Sequence, residues 1–303
     1  MTKTEFEGKS KSGMNESQKI QWFPGHMAKT EKQIGKNLKL ADAVIEIIDA
    51  RIPVSSRNPV LDRLVGTKPR VVLMNKFDLA DPVQTARWLE RFRACGCGAV
   101  AADSKTGKNI GRLLPQVEDI LSEKIAVWRE KGMVGRKIRV MVVGIPNVGK
   151  SSLINRLAGG SRAAVENRPG VTRASQWFPV SGNVEMLDTP GVLWPKFDDR
   201  VVGEHLAFTG AVKDDVFDAE LLACRLLETL RSVASEALEK RYKLTGEDLS
   251  GLDGSAMLKL VGRKRGMLAG GGSVDTERAA HMLLEEFRGA KIGRITLEWA
   301  EGS

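Results

Sequence analysis

The sequence predicts an α/β protein, a mostly parallel sheet flanked by helices, continued by a second domain made of helices alone. Three observations carry this. Short apolar runs recur up to residue 143, segments of helical spacing separate them, and beyond about residue 200 the runs stop and only helical periodicity remains. Parallel strands are covered on both faces, so they read as continuous apolar stretches, and strands alternating with helices pack as a sheet with helices on its faces.

In chain order, residues 1–19 hold three Glu and no Arg or apolar segment, and read as a disordered tail, neither a secretory signal nor a transit peptide. AVIEIID at 43–49 and RVVLMN at 70–75 are the first strands, and GAVAAD at 98–103 a weaker third. Pro82, at a favourable first helical position, opens a helix over 82–94. Residues 110–130 carry Ile110, Leu113, Leu114, Val117, Ile120, Leu121 and Val127 at mostly helical spacing. The polar, glycine-bearing KGMVGRK at 131–137 is a linker before the strongest strand, IRVMVV at 138–143. Residues 175–180 and 183–187, split by Ser181-Gly182, read as an antiparallel hairpin. Further on, Leu221, Leu222, Leu226, Leu227, Leu230, Val233 and Leu238 mark helix within 217–240. Ala279, Ala280, Leu283, Leu284 and Phe287 mark another within 276–288, with a glycine-rich loop at 270–273 before it. The expected division is a tail at 1–19, an α/β domain at 20–200 and a helical domain at 201–303.

Composition narrows the class. The net charge is +9, with eight Lys against four Glu in the first forty residues and a second basic cluster at Arg263-Lys264-Arg265. Such a balance favours a polyanionic partner such as nucleic acid. No stretch of eighteen uncharged apolar residues exists, so no transmembrane helix is expected and no membrane partner. Cys95, Cys97 and Cys224 lack the spacing of a zinc or redox pair and read as the reduced thiols of a cytoplasmic protein.

The motifs carry the chemistry. Gly144-Ile145-Pro146-Asn147-Val148-Gly149-Lys150-Ser151 matches the P-loop pattern in full, after the strongest strand and before a helix that continues from Ser152 to Leu157. Glycines let backbone amides, including those of Val148, Gly149 and Ser152, approach phosphate oxygens, and the helix N-terminus adds partial positive charge. Lys150 would neutralise the β- and γ-phosphates and the Ser151 hydroxyl would bind Mg²⁺. Asp188-Thr189-Pro190-Gly191 follows a strand, where Asp188 would hold Mg²⁺ through a water and the Gly191 N–H would meet the γ-phosphate. Between them, Thr172 lies in a loop able to close on Mg²⁺ when the γ-phosphate is present. Asn75-Lys76-Phe77-Asp78 ends the strand 70–75: the Asp78 carboxylate can accept two parallel hydrogen bonds from guanine N1–H and N2–H₂, Asn75 would tether neighbouring loops, and the Lys76 stem would lie over the ring. Asp103-Ser104-Lys105-Thr106-Gly107 ends the next strand, and a backbone N–H of Ser104 or Lys105 would read guanine O6. Bound GTP or GDP is therefore expected.

The order is unusual. GTPases ordinarily run from the P-loop to the base motifs, whereas here the base motifs come first. A circular permutation keeps the packed sheet and moves the termini, which domains tolerate. With this order, Trp22-Phe23-Pro24-Gly25-His26-Met27-Ala28-Lys29, Asp49-Ala50-Arg51-Ile52-Pro53-Val54-Ser55-Ser56-Arg57-Asn58-Pro59, the segment Asp275 to Phe287 and Gly293-Arg294-Ile295-Thr296-Leu297-Glu298 make the chain resemble the ribosome biogenesis GTPase A family of circularly permuted GTPases. The resemblance covers nearly everything after residue 19. It implies a Mg²⁺-dependent GTPase acting late in maturation of the large (50S) ribosomal subunit, with a helical domain that helps grip rRNA; a monomer is expected. Val192 stands where many GTPases carry the glutamine that orients water. The resemblance offers Asn147, which in related GTPases holds K⁺ against the phosphates, and His26, implicated in hydrolysis, with a packing role as the alternative for His26. Two other readings stay open at this point: a GTPase driving another RNA-related or modification reaction, and a non-catalytic GTP-binding scaffold.

Overall fold

A computed structural model describes residues 24–159, 177–187, 199–212 and 217–300, with the side chains of the first helix described from residue 31 onward. The expected strands are present as Ala43–Asp49 (β1), Arg70–Asn75 (β2), Gly98–Ala102 (β3), Ile138–Val143 (β4), Trp177–Ser181 (β5) and Val184–Leu187 (β6). They form one sheet in the order β3-β2-β1-β4-β6-β5, parallel throughout except for the β5–β6 hairpin. Asp49 lies opposite Asn75, and Asn75 opposite Ala102. The register therefore brings the ends of β1, β2 and β3 level, at the carboxyl edge where open α/β sheets bind ligands.

Strand alternation sorts the apolar side chains onto two faces. On one face, Val44, Met141 and Val143 pack with Ile34 and Leu38 of helix α1 (Pro24–Leu40) and Leu61 and Val65 of α2 (Pro59–Val65). Ile48, Val72 and Met74 pack with Trp88 and Phe92 of α3 (Pro82–Ala94) on that same side. On the other, Ile45, Ile47, Leu73 and Val142 share a core with Leu113 and Val117 of α4 (Leu113–Ile120) and Leu153 and Ile154 of α6 (Lys150–Leu157). The 131–137 linker lies between α5 (Ser122–Glu130) and β4. It is pinned: Arg136 stacks 3.7 Å above the Trp128 ring and bonds to Asp42.

The core on this second face runs without a break into the helical part, built from α7 (Arg200–Phe208), α8 (Ala219–Val233), α9 (Ser235–Tyr242), α10 (Gly246–Leu249), α11 (Gly254–Lys264) and α12 (Thr276–Arg288). Asp218, Asp253 and Asp275 cap α8, α11 and α12 by accepting from backbone amides in the first turn. Two expected long helices are broken. Segment 110–130 divides at Leu121 (φ −105°, ψ 4°): α4 turns Leu113 and Val117 fully inward, whereas α5 packs Ile125 and Trp128 only partly against the core. Segment 217–240 divides at Ala234 (φ −153°, ψ 43°), after which Leu238 and Tyr242 re-enter the core. One non-helical residue leaves apolar spacing almost unchanged, so periodicity does not report it. After α12 the chain returns to the α/β part, where the Leu297 N–H donates to Arg51 O (2.8 Å) and Ala300 packs in the Trp88 and Phe92 cluster.

Candidate nucleotide-binding site

The P-loop leaves β4 and turns into α6 at Lys150. Two of its glycines are obligatory by contact. A Cβ on Gly144 would lie 2.6 Å from Ile47 O, and one on Gly149, at φ 104°, would lie 2.2 Å from the Asn75 Nδ2. Lys150 is buried and its ammonium donates to Ile145 O at 3.2 Å, folded over its own loop. Ser151 and Ser152 are exposed in the first turn of α6, where unsatisfied amides and the helix dipole favour an anion.

The base motifs meet this loop through one side chain. Buried Asn75, at the end of β2, donates to Val148 O (2.6 Å) and accepts from the Ser104 N–H (2.9 Å), so one amide ties the P-loop to the loop after β3. Arg156 of α6 adds a second tie by donating to Lys105 O. Asp103 accepts from the amides of Lys105 (2.8 Å) and Thr106 (3.0 Å). Burial pushes its carboxyl up, but the Thr106 hydroxyl, these amides and the Lys105 charge together hold it below the usual carboxylate range. The amides of Ser104, Lys105 and Thr106 are thus all engaged within the protein, so reading guanine O6 requires one of them to share its proton. Buried Ser104 Oγ has no hydrogen-bond partner among the described residues. Asp78, three residues beyond Asn75, is exposed.

Lys76 adopts φ 57° and its ammonium lies 3.0 Å from Asp49 Oδ2 at the end of β1. Asp49 also receives Arg51 Nε (2.9 Å) and Nη2 (2.7 Å). Burial pushes this carboxyl up, but the two cations outweigh it and hold it far below the usual range. Arg51, almost fully enclosed, continues to Thr209 O (3.3 Å) and Arg288 O (3.4 Å) and lies over the Phe287 ring. Asn147, in a left-handed backbone conformation at φ 59°, donates to Gly210 O (3.1 Å) just beyond α7. The P-loop therefore touches the helical part directly through Asn147, and the loop after β2 is linked to it through Lys76, Asp49 and Arg51.

Residues 139–242 match the family model described as 50S ribosome-binding GTPase. The ribosome biogenesis GTPase A of Priestia megaterium is 47% identical over 282 residues, covering 92% of this chain and 96% of the relative. The chain belongs to the ribosome biogenesis GTPase A family. A more distant relative, the mitochondrial ribosome-associated GTPase 1 of Mus musculus, is 35% identical over 91% of this chain and 89% of its own. Among solved structures, GDP-bound TM YlqF superposes with a TM-score of 0.63 at 28% identity, covering 89% of this chain and 100% of that one. GNP-bound YlqF from T. maritima does so with a TM-score of 0.61 at 27% identity, over 89% and 98%. Like other ribosome biogenesis GTPase A proteins, the chain is a GTP hydrolase with a permuted P-loop domain followed by helices.

Several expected site residues of this ribosome biogenesis GTPase A chain lie outside the described residues: Thr172, Asp188, Gly191 and the neighbouring Val192. His26 falls on α1, with its side chain outside the described set. Among the described residues no group of three or more His, Cys, Asp or Glu could hold a metal ion, and no helix is long and apolar enough to cross a membrane. A cleft of about 550 Å³ between α2 and α3 is lined by Arg57, Arg70, Trp88 and Arg91, away from the nucleotide loops, and of these Arg57 and Arg70 pair with buried Glu46. Ser55, His205 and Glu298 form a grouping of nucleophile, base and acid types, but Ser55 Oγ and Glu298 Oε1 both approach His205 Nδ1, at 3.2 and 3.0 Å. A proton relay needs the nucleophile and acid on opposite ring nitrogens, so this is a clasp between loop, α7 and C-terminal segment rather than a hydrolytic triad. The Asp49–Arg51 and Ser55–Glu298 contacts were invisible to spacing arguments. The only sequence signal for them was their place in stretches shared with the family.

Proposed function

We propose that this chain is a GTP-driven assembly factor that binds the large ribosomal subunit through its rRNA, late in that subunit's maturation. The observation that carries the nucleotide half is the Asn75 bridge from Val148 O to the Ser104 N–H, by which motifs scattered in permuted order share one edge of the sheet. The ribosomal half is supported by the description of the matched family, by the relatives' names and by the net charge of +9.

The cradle suits a guanine nucleotide: glycine backbone would approach the phosphates, and exposed Asp78 would meet the base, with Asn75, Lys76, Ser104 and Lys105 completing the site. Lys150 exchanges its contact with Ile145 O for phosphate oxygens, and the amides of Val148, Gly149 and Ser152 complete the anion nest. Mg²⁺ would be held by Ser151, Thr172 and, through water, Asp188, and would neutralise charge on the β- and γ-phosphates. Gly191 would donate its N–H to the γ-phosphate. With the Asn147 amide nitrogen on Gly210 O, its amide oxygen is the group left for K⁺. With Val192 unable to orient water, His26 takes that task, and hydrolysis proceeds by electrostatic positioning rather than a covalent intermediate. We place the division near residue 200, with a G domain at 20–200 and an RNA-gripping helical domain at 201–303, in a cytoplasmic monomer. Co-sedimentation with large subunits tests this. Binding is expected with a non-hydrolysable GTP analogue and weakened with GDP; indifference to nucleotide, or no binding at all, would sink the ribosomal half.

A further inference from the structure

The base-reading loop is held from outside by a segment 214 to 217 residues further along the chain. Arg294, just beyond α12, donates from Nε to Ala80 O (3.0 Å) and from Nη2 to Phe77 O (2.9 Å). The next residue, Ile295, donates its N–H to Leu79 O at 3.2 Å. Buried Thr296 accepts the Asp81 N–H at 3.1 Å and donates its hydroxyl to Ala50 O at 3.4 Å. Backbone groups of Phe77, Leu79, Ala80 and Asp81, which bracket Asp78 on both sides, are thus fixed by three consecutive residues of the C-terminal segment. Asp78 is exposed, so the direction of its carboxylate follows from the backbone that carries it. The preceding Lys76 sits at φ 57°, a conformation a residue with a side chain keeps only where its surroundings over-determine it.

We propose that the segment 294–296 is part of the guanine site, and that Arg294 is a specificity-positioning residue that aims Asp78 without touching nucleotide. A single guanidinium spanning two carbonyls, one before and one after Asp78, sets both ends of the peptide from which that carboxylate projects. A planar two-donor fork does this in a way an ammonium cannot. Discrimination by a carboxylate that must meet N1–H and N2–H₂ together depends on angle more than on reach, because hydrogen bonds weaken steeply when misaligned. The inference rests on the reading of Asp78 as the acid that recognises guanine.

Fluorescent-nucleotide displacement by GDP and by inosine diphosphate, which lacks the exocyclic amine, tests it on the full chain. The variants are Arg294→Ala, Arg294→Lys and Asp78→Asn, each with a thermal melt. Arg294→Ala is expected to weaken GDP roughly ten-fold and inosine diphosphate less than about two-fold, the size of one well-aligned hydrogen bond. Arg294→Lys, able to reach one carbonyl at a time, should recover part of the preference. Arg294 is exposed, so the melt should move little. If Arg294→Ala does not fold, Arg294→Lys carries the same test, with a reduced guanine preference expected. Unchanged preference, or equal weakening of both nucleotides, overturns the proposal. Wild-type GDP affinity in Asp78→Asn would overturn the reading of Asp78 itself, whereas a loss there with Arg294→Ala intact overturns only the bracing role.

Discussion

At the scale of the residue, the proposed guanine selectivity reduces to what one carboxylate can accept. Replacing Asp78 with Asn turns one acceptor into a donor that faces the donors of guanine, and leaving such groups unpaired costs several kcal/mol, on the order of 10³-fold in GTP affinity. Preference should move toward xanthine nucleotides, whose C2 carbonyl accepts from the new amide. Competition binding with GTP and XTP reads this directly, and wild-type GTP affinity in Asp78→Asn would remove the base assignment. Asn147 makes a second residue-level case. A monovalent cation beside the phosphates supplies charge that an arginine finger supplies elsewhere. Hydrolysis should run faster in K⁺ than in Na⁺ at equal ionic strength, and Asn147→Ala should abolish the difference. Equal rates for the unaltered chain in the two salts would dismiss the cation site.

At the scale of the element, the helical part is locked by Glu286 on α12. Its carboxylate receives Arg241 and Tyr242 from α9 and Arg265 from the end of α11. Burial pushes this carboxyl up, but the Arg241 and Tyr242 hydrogen bonds and the two guanidinium charges prevail and hold it below the ordinary glutamate value. Both arginines are partly exposed and regain water when the acid is lost, whereas the Tyr242 hydroxyl is buried and does not. Glu286→Ala should therefore cost about 1–3 kcal/mol, chiefly for the hydroxyl left without an acceptor. Denaturant unfolding measures it, and a change near zero would mean that apolar packing alone holds α9 to α12. The sign with pH follows from the depressed value. The stabilisation is complete above the unfolded glutamate value of about 4.3 and is lost as pH falls through the lower, folded one. The unaltered chain should lose stability more steeply than Glu286→Gln over that acid range.

For the whole molecule, the permutation decides what moves with the nucleotide. The chain passes from Gly191 into α7 after only a few residues, and the carbonyls at the end of α7 are gripped by Arg51, Arg288 and, just beyond, Asn147. In an unpermuted order the segment after the second switch would instead continue to the base-reading strands. Here it leads directly to the helices, while the segment with His26 enters from the other side of the same break. If that loop reorders with γ-phosphate, as proposed, the change is connected along the chain to both flanking parts, and we expect the large subunit to stimulate hydrolysis by completing that arrangement. His26→Ala should keep nucleotide affinity and subunit binding but lose most stimulated turnover, trapping the factor on the subunit. Single-turnover hydrolysis with and without subunits, beside co-sedimentation, separates the outcomes. Full stimulation would assign His26 to packing, and lost binding with normal intrinsic turnover would assign it to RNA contact.

What could be read from the sequence was what short-range spacing encodes. The parallel strands β1 to β4 showed as apolar runs, because burial on both faces demands it, and the half-exposed β5–β6 hairpin showed by its Ser181-Gly182 turn. The P-loop and the two loops proposed to read the base showed as motifs because phosphate and guanine each demand particular groups a few residues apart. What only the tertiary structure decided were contacts between single side chains and distant backbone. Glu46 lies buried inside β1 because Arg57 and Arg70 reach it from other elements. Lys76 pairs with Asp49 because parallel register brings the ends of β1 and β2 level. Arg294 grips the base loop because the chain doubles back after α12. Such contacts need one suitable residue at each end and no period between them. They leave no pattern along the chain, and only packing of the whole core determines which partners meet.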